Sequence, residues 1–139
     1  MATFNKFNDF VEQLGLEQHN LNTDTIKVAL TNTLPVSTQT VFDAVTNHAA
    51  PAAANGYTAG GEDITAVWSE TGGTGTLTAT DVVFTATAGG IGPFQYVVMY
   101  NEDNGTNMLI GWYAHTSSIT LADTETFAVD FGASVFTIT

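Results

Sequence analysis

Three histidines, His19, His48 and His115, are the side chains of this sequence best suited to binding a metal or moving a proton near neutral pH. A zinc site needs histidine, cysteine or carboxylate ligands at short, regular spacings. These histidines are far apart and form no helical i, i+4 pair, and the chain contains no cysteine. We therefore predict no metal, no cofactor and no thiolate nucleophile, and we interpret each histidine as a surface or packed residue.

Two acidic segments resemble catalytic or calcium-binding sequences only in part. Residues 101–105 read Asn-Glu-Asp-Asn-Gly, but the glycine comes one position early for a calcium loop and Trp112 occupies the place of the bidentate glutamate. A hairpin turn explains this segment better. Glu62 and Asp63 are adjacent, so in an extended strand their side chains point to opposite faces and do not form an acid–base pair.

Residues 89–93 are glycine-rich, but no Lys-Ser or Lys-Thr follows them, as a phosphate-binding loop would require. The chain has no arginine, and its two lysines, Lys6 and Lys27, are both in the N-terminal region. Stabilisation of an anionic transition state would thus depend on backbone amides alone. We predict no catalytic residues and expect that the protein is not an enzyme.

The charge balance is strongly acidic, with fourteen aspartates and glutamates against two lysines and a net charge of −12. Nucleic acids and anionic membranes are bound by lysine and arginine, so both should be repelled by this chain. No apolar run approaches the roughly 20 residues of a membrane span, and the first residues lack the pattern of a signal peptide. We expect synthesis in the host cytoplasm and no nucleic-acid or membrane partner.

Two groups of apolar residues are candidate binding surfaces. Trp68, Trp112 and Tyr113 could stack on sugar rings, although packing in a core or between subunits explains them better. Residues 1–19 are predicted to form one amphipathic helix, in which Phe4, Phe7, Val11 and Leu14 recur at spacings of three and four. This helical stripe could cover the protein's own sheet or dock on a neighbouring protein.

The rest of the chain is typical of a β protein. Residues 24–32 alternate, with Ile26, Val28 and Leu30 on one face, and predict a strand with one buried face. Residues 33–61 are predicted to be a long excursion over the surface. Further strands are expected at residues 64–70, 75–87, 94–101, 107–115, 118–121, 126–131 and 134–139. The fold class is thus mostly β: one domain over residues 1–139, an antiparallel β-sandwich or small barrel with one N-terminal amphipathic helix.

Several short sequences, taken in order, resemble a family of small structural proteins found in tailed-phage and prophage virions. The sequences that carry the resemblance are Asn-Lys-Phe-Asn at residues 5–8, the strand at 24–32, Asn-Gly-Tyr-Thr-Ala-Gly-Gly at 55–61, Ala-Thr-Asp-Val-Val-Phe at 79–84, Ile-Gly-Pro-Phe-Gln-Tyr at 91–96 with residues 97–101, and Leu-Ile-Gly-Trp at 109–112. The resemblance spans nearly the whole chain and implies a non-enzymatic structural role. It transfers no functional site residue.

Within a virion, the charge favours a position outside the capsid, because packaged DNA inside it would repel an acidic protein. We expect a capsid decoration or cement protein that binds the major capsid protein and assembles as homo-oligomers, for example trimers near local three-fold axes. The helical stripe is its candidate interface. The alternative is a tail or fibre module that binds host glycans through Trp68, Trp112 and Tyr113.

Overall fold

The structure, a computed structural model, describes residues 2–103 and 105–139. Within these residues, one short helix and ten strands follow each other. They are β1 (Phe4–Lys6), α1 (Asp9–Gly15), β2 (Ile26–Thr31), β3 (Glu62–Ile64), β4 (Ala66–Thr71), β5 (Thr74–Ala79), β6 (Val82–Thr85), β7 (Ile91–Asn101), β8 (Met108–Leu121), β9 (Thr126–Val129) and β10 (Phe136–Ile138).

The strands form three antiparallel sheets. The large sheet has the order β1-β8-β7-β2-β3, the small sheet has the order β10-β5-β4, and β6 pairs with β9 in a two-stranded ribbon. The sheets stay open and pack face to face, so the fold is β-sandwich-like and is not a closed barrel. The prediction of a mostly β fold with antiparallel sheets is confirmed.

The main core lies between the large sheet and the two smaller ones. Val28 and Met99 reach it from β2 and β7, Leu77 from β5, and Phe84 from the ribbon, and all of them are at most 1 % exposed. In each strand the side chains point alternately to the two faces of the sheet, so residues i and i+2 both reach the core. Removal of this apolar surface from water is the main contribution to the stability of such a fold.

A second apolar cluster covers the opposite face of the large sheet. Phe42, from the loop of residues 33–61, stacks on Tyr100 of β7 with ring centroids 4.3 Å apart and planes 6° apart. Ala29 and Val98 are fully buried beneath this loop. The prediction that the strand at 24–32 buries only one face was therefore wrong. Residues 33–61 are also more than the predicted surface excursion, because part of this loop packs on the second face of the sheet.

The N-terminal helix is much shorter than the predicted residues 1–19, because the first residues form a strand instead. Phe4 pairs with Tyr113 and Lys6 with Gly111, which extends the large sheet by one strand. The helix begins only at Asp9 and ends at Gly15. The spacing of three residues between Phe4 and Phe7 fits a strand followed by a helix as well as it fits one long helix, so it does not distinguish the two. The predicted stripe is split as a result, since Phe7 lies in the second cluster while Phe4 packs against the main core.

Candidate functional site

An apolar groove opens between the helix and the edges of two sheets. Strand β1 is an edge of the large sheet and β10 is an edge of the small sheet, and Phe4 of β1 stacks on Phe136 of β10 with centroids 5.2 Å apart. Helix α1 lies beside this junction and inserts Phe10, whose ring is 5.6 Å from Phe136. We call the resulting depression of about 380 Å³ the helix groove; its lining residues are Phe4, Lys6, Phe10, Val11, Leu14, Phe136, Thr137 and Ile138.

Parts of the helix groove remain open to solvent. Val11 is 57 % exposed and Ile138 is 38 % exposed, although both are large aliphatic residues in a groove lined by buried and half-buried aromatic rings. Leu14 is partly buried and packs against the main core. The groove thus brings together three of the four residues predicted as an interface, Phe4, Val11 and Leu14. Phe7 is fully buried in the second cluster and does not belong to it.

A wider cleft continues from one end of the helix groove, and Leu14 and Ile138 line both depressions. It has a volume of about 650 Å³ and lies between the end of α1, the turn that follows it, and strand β4. We call it the Trp68 cleft; its lining residues are Leu14, Glu17, His19, Asn20, Leu21, Asn22, Trp68 and Ile138. Its walls combine one indole ring and aliphatic side chains with amides, a carboxylate and an imidazole.

The local sequence explains how this wall forms. Glu17, which follows the C-cap residue Leu16, has a positive φ of 61° and turns the chain away from the helix axis. Asp24 then closes the next turn, since one of its carboxylate oxygens accepts a 2.8 Å hydrogen bond from the backbone N–H of Asn20. On the opposite wall, Trp68 lies over Gly75 of β5, where a Cβ atom would overlap the indole ring. The glycine therefore leaves room for the ring.

The structure does not bring together the three aromatic residues proposed to bind glycans. Trp112 and Tyr113 are neighbours on β8, so their side chains point to opposite faces of the large sheet. Trp112 packs on Phe7 in the second cluster, with centroids 4.6 Å apart, and Tyr113 enters the main core beside Phe4. The prediction of a joint site is wrong in this respect. Trp68 lines the cleft described above, whereas Tyr113 lines a separate, smaller depression of about 150 Å³.

His19 is the most unusual polar residue of the cleft wall. It is 5 % exposed, and its ring packs against Phe10 with centroids 5.3 Å apart. Its Nδ1 atom is 3.2 Å from Nδ2 of Asn101, whereas its Nε2 atom is buried and has no hydrogen-bond partner among residues 2–103 and 105–139. Burial lowers the pKa of His19, although the charges of Asp24 and Asp9 act in the opposite direction. The ring is therefore neutral at pH 7.

The other two histidines have structural surroundings, as predicted for packed or surface residues. His48 is fully buried and stacks on Phe42, and its Nδ1 atom accepts a hydrogen bond from the backbone N–H of Asp43. Burial lowers its pKa too. His115 is exposed on β8. Within the described part of the chain, no three histidine, aspartate or glutamate side chains are grouped so that they could hold a metal ion.

Charges near the groove are mainly acidic. Asp9 and Glu12 lie in the first turn of α1, and Glu17 lines the cleft. Lys6 is the charged residue among those that line the helix groove itself. The second lysine, Lys27, is distant and forms ion pairs with Asp63 at 3.6 Å and Glu102 at 3.0 Å. An incoming partner therefore meets exposed aliphatic groups beside carboxylates.

The sequence predicted a strand at residues 134–139 but not its position beside the helix, where strand β10 completes both depressions. Phe136 and Ile138 of β10 lie far from the helix in sequence, and only the pairing of β10 with β5 brings them to it. Asn20 and Asn22 form a turn after the helix, in which the backbone N–H of Asn22 donates to the side-chain oxygen of Asn20, and both residues also line the cleft. Phe10 carried a usable signal, because it precedes Leu14 by four residues and both therefore lie on the face of α1 that packs against the main core.

Comparison of this chain with models of protein families, with curated proteins and with solved structures gives no match. Among the helices of residues 2–103 and 105–139, none has the length and apolar character needed to cross a membrane.

Proposed function

We propose that this chain is a decoration or cement protein on the outer surface of a tailed-phage capsid, where it binds the major capsid protein and stabilises the shell. The observation that carries this proposal is the helix groove, an open apolar surface on an otherwise acidic and threonine-rich protein. The sequence resemblance to small virion proteins supports the same assignment. The net charge of −12 favours the outside of the shell, because packaged DNA would repel this protein inside it.

The groove favours an extended segment of the capsid protein as its occupant. Strands β1 and β10, which flank it, each have a neighbour on one side only within the described sheets. An extended segment can add to such an edge through backbone hydrogen bonds and insert alternate side chains into the groove. Asp9 and Glu12 on α1 favour a segment that carries basic residues next to apolar ones. A second copy of this acidic chain would lack that complementarity.

Self-association of the chain is part of the same proposal but would use other surfaces. We propose trimers near local three-fold axes of the shell, held by contacts away from the helix groove. The edge strand β4, where Val67 is 51 % exposed, is one surface of this kind. Many copies with modest individual interfaces would then stabilise the shell through multivalent binding.

The docking role is tested with a pair of matched variants. Val11 in the groove is 57 % exposed and Val83 on β6 is 55 % exposed, so a glutamate at either position should leave the fold intact. Burial of one valine contributes about 1.5–3 kcal/mol, which corresponds to roughly 10- to 100-fold in Kd. We expect Val11→Glu to bind capsids at least about tenfold more weakly and Val83→Glu to bind like the unmodified chain.

The stabilising role needs a separate measurement on particles. Capsids stripped of this protein should lose their DNA at a lower temperature than complete capsids, and addition of the purified chain should restore the original temperature. Addition of Val11→Glu should not restore it. Equal heat resistance of stripped and complete capsids would exclude a cement role.

A further inference from the structure

The hydrogen bonds around Asn101 determine which nitrogen of His19 carries the proton. The side-chain oxygen of Asn101 accepts a 3.0 Å hydrogen bond from the backbone N–H of Asp103, so its amide nitrogen faces His19 and Asp24. An amide nitrogen is a donor only, and Nδ1 of His19 must therefore accept. In the neutral ring the proton is then on Nε2. This Nε2–H group is a buried donor without a partner in the described part of the chain.

A buried donor of this kind is costly, since an unpaired polar group loses its hydrogen bonds to water without compensation. His19 belongs to the wall of the Trp68 cleft, where further polar groups are also free to bind. The side-chain amide of Asn22 and the carboxylate of Glu17 are exposed and make no hydrogen bonds within residues 2–103 and 105–139. The cleft thus offers donors and acceptors next to the indole ring of Trp68.

The cleft also has the size of a small-molecule site. Its volume of about 650 Å³ lies within the range of roughly 300–1,000 Å³ that such sites occupy. An indole ring presents a flat apolar surface to the C–H groups of a sugar ring, while amides and carboxylates bind its hydroxyl groups. The unpaired Nε2–H group of His19 complements one more hydroxyl oxygen of the sugar, to which it can donate a hydrogen bond. Apolar ligands would leave these polar groups unpaired.

We propose that the Trp68 cleft is a binding site for an uncharged saccharide, which stacks on Trp68, hydrogen-bonds to Asn22 and Glu17, and supplies an oxygen acceptor to Nε2 of His19. Because Nε2 is itself covered, a side chain of the lining turns aside when the ligand enters. The acidic residues of the chain disfavour phosphorylated or sialylated sugars. This site adjoins the helix groove at Leu14 and Ile138, but the residues proposed to bind the saccharide do not line that groove, so saccharide binding does not depend on capsid docking.

The proposal is tested first by applying the labelled full-length chain to a glycan array that carries neutral and acidic oligosaccharides. We expect binding to neutral glycans only. The best neutral glycan is then titrated against the Trp112→Phe variant, in which Trp68 is the remaining tryptophan and reports on ligand by its fluorescence. No binding above background, or preferential binding of acidic glycans, would overturn the proposal.

Matched variants identify the site. Asn22→Ala in the cleft should weaken binding several-fold, whereas Asn47→Ala, at an exposed position of another loop, should have no effect. Trp68→Ala should weaken binding by about tenfold or more, and thermal unfolding verifies that the variant is folded. Equal affinities of the Asn22 and Asn47 variants would overturn the assignment to this cleft. Val11→Glu should keep full glycan affinity, so the saccharide site and the capsid interface can fail independently.

Discussion

The hydroxyl group of Tyr57 replaces a missing neighbouring strand, and its removal should destabilise the protein measurably. Strand β3 pairs with β2 from Ile26 to Val28, and none of the described strands pairs with the next part of β2 on that side. The backbone N–H of Leu30 donates a 3.0 Å hydrogen bond to the hydroxyl oxygen of Tyr57 instead. Both residues are buried, and burial raises the pKa of Tyr57 to about 12.

In Tyr57→Phe, the N–H group of Leu30 stays buried and loses its only acceptor among the described residues. A buried donor left without a partner costs about 1–3 kcal/mol, and we expect the free energy of unfolding to fall by that amount. The aromatic ring remains, so no cavity forms. The measurement is equilibrium unfolding in urea, where the midpoint should decrease while the slope stays constant.

Tyr113→Phe provides the matched control for this change. Tyr113 is also buried, but its hydroxyl makes no hydrogen bond within the described part of the chain. Its loss should change the free energy of unfolding by no more than about 0.5 kcal/mol. Amide hydrogen exchange gives a second readout, since the Leu30 amide should exchange faster in Tyr57→Phe alone. Equal effects of the two substitutions would refute the role assigned to the Tyr57 hydroxyl.

Two further predictions concern pH and backbone geometry. Burial lowers the pKa values of His19 and His48 below their ordinary value of 6.5, so on acidification the unfolded chain takes up protons before the folded chain does. The free energy of unfolding should therefore be constant just above about pH 6.5 and should fall below it, with a smaller loss in His19→Gln. A free energy of unfolding that does not change with pH would contradict this prediction. Gly61→Ala should destabilise the protein by several times the roughly 1 kcal/mol expected for Gly72→Ala. Both glycines have a positive φ, but a Cβ atom at Gly61 would overlap the backbone of β2, whereas a Cβ atom at Gly72 would meet open space. Comparable melting temperatures of these two variants would contradict this prediction.

The strands were largely predictable because their signal is local. Alternating residues such as Ile26 and Val28, and turns such as Gly72-Gly73, indicate strands and hairpins whatever their neighbours are. The opposite orientations of Trp112 and Tyr113 were implied by the predicted strand as well, because adjacent strand residues point to opposite faces. A joint site on both aromatic residues was thus inconsistent with the predicted secondary structure.

The groove and the cleft were not predictable to the same extent, because they depend on contacts that are distant in sequence. Phe4 could continue a helix or begin a strand, and its pairing with Tyr113 decides between the two. Phe42 belongs to a polar, small-residue loop, and only the position of Tyr100 shows that it covers a sheet. The free donor on His19 follows from the orientation of Asn101, which no sequence pattern contains.

The central claim, that the helix groove docks this protein on the outside of a capsid, is tested most directly by electron cryomicroscopy of the particle that carries it. We expect many copies on the outer shell, each with Val11 and Ile138 covered by an extended segment of the major capsid protein. Particles in which the chain is absent from the shell, or in which the helix groove faces solvent, would contradict the claim.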